Sequence, residues 1–197
     1  MMIFLILAPF AAFAGLTMIA SAPVSLFGAA AIALATIAWD FSRGASIKIL
    51  AGGSAILFAA LGCYLTLIDS SWSTPSVRLA VDAGVLVIAL LSIALRYPFT
   101  LQYAHEVTDA ETKKLPGFMR ANYIISWAWA AAFLLMVIGN VLTIYIPDLP
   151  FWTGIAIALA ARNSATLFTK WYPKHRLAKI SNELAKRALP APFTTAS

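Results

Sequence analysis

The chain has 197 residues, 61% of them apolar and only 11% charged, with a formal net charge of +6 and a mean hydropathy of +0.85. That balance excludes an ordinary soluble domain and points to an integral membrane protein. Nucleic acid is not an expected partner, because the cations lie between and after the apolar runs and form no surface interleaved with aromatic residues.

Six apolar runs follow one another, each of about 17 to 25 residues, the length an α-helix needs to cross the hydrocarbon. Met1 to Ala20 lacks a basic leader, and Pro23 would follow a cut after Ala22, so it reads as a retained first span, with a kink expected at Pro9. Val24 to Asp40 is the second, closed by Trp39 at the headgroup level. The third, Ile49 to Ile68, carries Ala51, Ala55, Ala59 and Cys63 at every fourth position. Such a strip allows close helix approach, either within the protein or against a second copy in a homo-oligomer. The polar turn from Asp69 to Arg78 leads into the fourth run, Leu79 to Leu95, where Arg78 and Asp82 are spaced for a local ion pair. The fifth run is Ala121 to Ile146 and the sixth Phe151 to Trp171.

Pro23, Pro75, Pro98, Pro116, Pro147, Pro150 and Pro173 all fall at these boundaries. The expected fold is therefore all-α: a polytopic transmembrane bundle of six spans over residues 1–171, with a cytoplasmic loop at 96–120 and a basic cytoplasmic tail at 172–197. Transmembrane strands would need short alternating segments, which the chain lacks. With six spans, Arg43, Lys48, Arg96, Lys113, Lys114, Arg120, Lys170, Lys174, Arg176, Lys179, Lys186 and Arg187 share one face and only Arg78 the other. Both termini are expected in the cytoplasm.

In the loop, Phe99, Tyr103 and Val107 recur every fourth residue, a pattern for a short helix lying on the cytoplasmic membrane surface between spans four and five. His105, Glu106 and Asp109 occupy its other faces and are the loop's candidate functional residues. Thr108 and Glu111 are spaced for a capping box on a second short turn. In the tail, Leu177, Ile180 and Leu184 line one face and Lys174, Lys179, Lys186 and Arg187 the others, as in a basic amphipathic helix held to anionic lipids or docked on a partner.

Catalytic signatures are absent: the chain has no nucleophile elbow, zincin motif, phosphate-binding loop, paired cysteines or paired intramembrane carboxylates. No cofactor and no metal site is expected. Both histidines, His105 and His175, lie outside the spans, and the single cysteine, Cys63, reads as a packing residue. Arg162 is the anomaly. At ~1.5 Å per residue it lies about 12 Å from the cytoplasmic end of span six, too deep for a flank. A guanidinium there must snorkel, meet a carboxylate or line a wet cavity. Asn163, Ser164, Thr166 and Thr169 make the same half of the helix polar, and Asp82 and Asp40 are the candidate partners of Arg162. Asn140 and Asn122 read as amides that bond neighbouring helices.

The series Leu61-Gly62-Cys63-Tyr64-Leu65-Thr66-Leu67, then Asp69, Trp72 and Pro75, resembles the intracellular septation protein A family and its bacterial relatives between their third and fourth spans. Tyr97-Pro98 is similar to the proline that closes the fourth span there. Phe118, Asn122, Trp129, Phe133 and Asn140 are similar to the family's fifth helix, and Leu167-Phe168-Thr169 to its last. The turn after Asp69 is shorter than the family's and lacks its lysines, and Ser126 stands where an asparagine is usual. The resemblance implies a non-enzymatic protein of the bacterial inner membrane, working in septation or envelope maintenance through contacts with other membrane proteins. The alternative expectation is a small transporter or channel with Arg162, Asn163 and Asp82 along a polar path. A third is an enzyme acting on lipid through His105, Glu106 and Asp109.

Overall fold

A computed structural model describes residues 2–115, 117–146, 148–150 and 152–188. Among them the chain is helical and has no strand, as the long apolar runs require. The helices are α1 (Met2–Leu16), α2 (Ala22–Ser42), α3 (Ile49–Leu67), α4 (Thr74–Ala94), α5 (Phe99–Val107), α6 (Ala110–Lys113), α7 (Phe118–Tyr145) and α8 (Trp152–Ala188). Four of them, α2, α3, α4 and α7, are long and apolar enough to cross a membrane. The expected six are thus shown only as four. With 15 residues, α1 is short for a span, and Arg162 and Asn163 dilute the apolar half of α8. The outward side chains, such as Leu34, Ile56, Leu91 and Leu135, each at least half exposed, form a surface that water would not tolerate and lipid tails would.

The ends of these helices follow local chemistry. Pro23 and Pro75 stand in the first turns of α2 and α4, where a missing N–H costs nothing. Gly44, at φ 72°, closes α2: its N–H bonds Phe41 O and that of Ala45 bonds Asp40 O. The same motif closes α4 around Arg96, at φ 59°, with Tyr97 N–H on Ser92 O. Between α3 and α4 the Asp69 carboxylate accepts from Ser71 N and Oγ and from Trp72 Nε1. The Ser71 hydroxyl bond is the main reason this carboxyl stays below its ordinary range. Trp72 also meets Tyr64 edge to face, so the turn that carries part of the family resemblance is a self-bonded structural unit.

Neighbours in sequence are neighbours in space: α1 packs on α2, α2 on α3, α3 on α4, α4 on α7 and α7 on α8, while α5 tucks against α7 and α4. The core centres on Phe58, fully buried, whose ring lies 5.5 Å from Phe10 and 5.6 Å from Phe13. This tilted aromatic group joins α1 to α3. Close approach uses glycines more than the alanine strip. A Cβ on Gly62 would stand 3.0 Å from the Phe27 ring, and one on Gly84 only 2.5 Å from Leu57. Ala55 of the strip is buried, but Cys63 is exposed, so the strip does not run the length of α3.

Two expected boundaries move. Pro173 stands inside α8, not at its end, and the basic tail to Ala188 continues the same helix. The second short turn is capped by Asp109, whose Oδ1 accepts from Thr112 N at 2.8 Å, and not by Thr108. In the loop helix expected at the membrane surface, the first turn, Phe99 to Gln102, is buried against α7 and α4. Phe58→Ala should cost about 3–5 kcal/mol, the range for an aromatic truncated in a packed core, and a lower melting temperature in detergent would report it. An unchanged melt would contradict the Phe10–Phe13–Phe58 contact.

Candidate functional site

An elongated cavity of about 300 Å³ runs between α4, α5, α7 and α8. Its mouth lies where the lining residues Val107, Leu115 and Leu177 are exposed, beside Thr108, Thr112, Gly117 and Arg176, and its opposite, deep end holds Asp82 and Arg162. Between them the walls are Val85, Phe99, Ile125, Trp129, Phe133 and Met136. From Arg162 to Arg176 along α8 is about 21 Å at ~1.5 Å per residue. Two polar links hold the walls together. Trp129 Nε1 donates to Thr169 Oγ1 at 2.9 Å, fixing α7 to α8. Thr100 Oγ1 donates to Asn122 O at 2.9 Å and shares a hydrogen bond of 2.7 Å with Ser126 Oγ, fixing α5 to α7.

At the deep end Asn140 Nδ2 donates to Asp82 Oδ2 at 2.7 Å and to Met136 O at 3.2 Å. The carboxylate of α4 therefore takes its partner from α7. The local Arg78–Asp82 ion pair expected from spacing does not form among the described residues, because Arg78 Nη2 reaches Thr17 Oγ1 instead, at 3.0 Å. Arg162 is half-buried and faces the same cavity as Asp82, yet no ion pair or hydrogen bond engages its guanidinium among the described residues. Asp40, its other candidate partner, is committed to Lys48. Asn163 and Ser164 point outward and are exposed, since Ala161 and Ala165 form the buried edge of α8. Of the polar half of that helix, the cavity receives Arg162 and Thr169. Its walls are mainly apolar.

A second cluster escaped the sequence reading. Lys48, just 4% exposed, places its ammonium 2.5 Å from Asp40 Oδ2 and 3.1 Å from Glu106 Oε1. The Tyr103 ring lies 5.4 Å from the same nitrogen. Burial, and then the carboxylates of Asp40 and Glu106, keep the Tyr103 phenol protonated above its ordinary range. Beside them Gln102 Oε1 accepts from Ile49 N at 2.7 Å and so covers the first turn of α3. One lysine thus ties the end of α2 and the start of α3 to α5. The Glu106 contact is ionic without hydrogen-bond geometry, and both its oxygens are shielded and accept no bond among the described residues. Lys48 reads in sequence as one more topological cation. The available signal was Tyr103 and Glu106 standing three apart on one helix face, with Asp40 and Lys48 flanking a short turn.

The loop candidates separate. His105 is exposed and sits edge-on to Phe118, with ring centres 5.5 Å apart. Glu106 faces Lys48. Asp109 caps α6, and the Thr112 backbone N–H holds its carboxyl below the ordinary range. The three do not converge on one point. No family model matches the chain, and neither a curated protein nor a solved structure does.

Replacing Lys48 by Met leaves two shielded carboxylates facing each other. The cost expected for breaking such a buried pair is about 3–5 kcal/mol. Adding Glu106→Gln in the Lys48→Met background should recover part of it, because it removes the repulsion. Thermal unfolding of the two variants in detergent checks both statements, and equal melting of Lys48→Met and wild type would contradict them.

Proposed function

We propose that the chain is a six-span protein of a bacterial inner membrane, with both termini in the cytoplasm, that acts without catalysis through contacts with other membrane proteins in septation or envelope maintenance. Support for six spans comes from the core: Phe10 and Phe13 of α1 and Ala161 and Ala165 of α8 belong to the same buried cluster as the residues of the four apolar helices. The distribution of the basic residues supports the orientation. The resemblance of residues 61–75 and of α7 to the septation family supports the setting.

One observation carries the contact reading. Leu159, Asn163 and Leu167 form a stripe on α8, with Leu159 54% and Leu167 67% exposed and Asn163 exposed between them. The spacing of four puts all three on one outward face. An amide facing lipid tails has nothing to bond, and a polar side chain of another membrane helix supplies the partner it lacks. A photo-crosslinking residue at position 163, activated in living cells, should capture a small set of membrane proteins, while one at Ile56 on the exposed side of α3 should capture far less. Capture of lipid alone at position 163 would overturn the reading.

A second reading, a small transporter or channel, draws on Asp82 and Arg162 standing at the deep end of one cavity. It requires flux in proteoliposomes that Arg162→Gln abolishes. The apolar wall from Phe133 to Ile125, which a hydrated ion would have to pass, weighs against it.

A further inference from the structure

We propose that the cavity between α5, α7 and α8 binds one acyl chain of an anionic phospholipid from the cytoplasmic leaflet, with the lipid phosphate held at Arg176. The proposal takes from the six-span reading only that the Arg176 end of α8 lies at the cytoplasmic surface. It does not depend on the partner contact at Asn163, which faces away from the cavity.

Charge decides which end holds the head. At the deep end Asp82 and Arg162 carry opposite charges in the same cavity and offset each other, so an anion gains little there. Around the mouth Arg176 is the lining cation, and the residues beside it, Thr108, Thr112, Leu115 and Gly117, include no carboxylate. The guanidinium lies over Gly117, where even a Cβ would meet Arg176 Nη2 only at ordinary contact distance, 3.4 Å, and no ion pair or hydrogen bond engages it among the described residues. A planar guanidinium without a protein partner is suited to two parallel bonds to phosphate oxygens.

Shape and polarity identify the rest of the occupant. The walls below the mouth are mainly aromatic and aliphatic, and the Thr100, Asn122 and Thr169 groups among them are already bonded within the protein, so water there would find few of the two to four polar partners it needs. A hydrocarbon chain needs none. The groove is about 21 Å long by the rise of α8, against about 15 Å for half of a hydrocarbon core, so a chain from one leaflet fits along it. About 300 Å³ is the lower limit of ordinary ligand sites, which suits one chain and not a whole lipid. The cytoplasmic leaflet, rich in anionic lipid, supplies the ligand at the level of the mouth.

The test is native mass spectrometry of the delipidated protein in detergent, titrated with phosphatidylglycerol or phosphatidylcholine. Wild type should bind one phosphatidylglycerol ahead of any further lipid, and prefer it to phosphatidylcholine. Arg176→Gln should lower that preference roughly tenfold, as loss of a charge-assisted pair does. Ala121→Leu, which adds bulk to the groove wall, should weaken the first binding step for both lipids. Arg120→Gln, at an exposed cation that does not line the groove, should behave as wild type. Equal losses in Arg120→Gln and Arg176→Gln would show lipid held only by general surface charge and overturn the proposal. So would wild-type binding by Ala121→Leu, or no preference in wild type. Binding in detergent is independent of membrane orientation and of protein partners, so these outcomes stand apart from failure of the contact reading.

Discussion

Hydrocarbon offers no hydrogen bonds, so polar side chains in this bundle turn back on carbonyls of their own helix, as Ser54 and Asn122 do, or are answered from another helix. That constraint organises the structure more tightly than its apolar core does, since lipid tails are as apolar as leucine and give helices little reason to associate. The links are few and specific. Lys48 joins α2, α3 and α5 through Asp40 and Glu106, Asn140 joins α7 to Asp82 of α4, Thr100 joins α5 to α7, and Trp129 joins α7 to Thr169 of α8. The aromatic group around Phe58 adds a packed contact between α1 and α3.

Much of this fold was legible in the sequence because the signal is coarse and strong. A run such as Ile49 to Ile68 can satisfy its backbone in lipid only as a helix, and α3 occupies Ile49–Leu67. For α4 the apolar run starts at Leu79, but the helix starts at Thr74, because Ser73 and Pro75 provide an N-terminus that hydropathy does not register. Pro173 misled in the opposite sense. A proline is a boundary signal in a water-facing helix, yet in α8 the loss of one N–H is absorbed by a helix held on α7.

The site was less legible, because pairing between distant helices leaves no local spacing. Arg78 and Asp82 have the spacing of a helical ion pair, but Thr17 and Asn140 stand nearer in space and take them apart. Arg162 stands out in sequence as a cation within an apolar run, and in the structure it is half-buried and lines the cavity. Asn163 was grouped with it by adjacency, although one residue along a helix turns a side chain by about 100°, and here that rotation separates the cavity from the outer face. Nothing next to Lys48 in the chain except Asp40 points to its burial, since the rest of its surroundings come from α5, more than fifty residues later in the chain.

Two surfaces meet on α8: an inner one lining an apolar groove with a cation at one end, and an outer one presenting an exposed amide. The contact reading and the cytoplasmic placement of Arg176 both require that α8 cross the membrane with the four apolar helices. Labelling single cysteines in intact cells with an impermeant maleimide, in a Cys63→Ala background, tests this most directly. Ser71→Cys, between α3 and α4, should label from outside, and Ser181→Cys, exposed near the end of α8, only after the membrane is opened. Labelling of Ser181→Cys in intact cells would place the end of α8 outside and contradict the six-span arrangement.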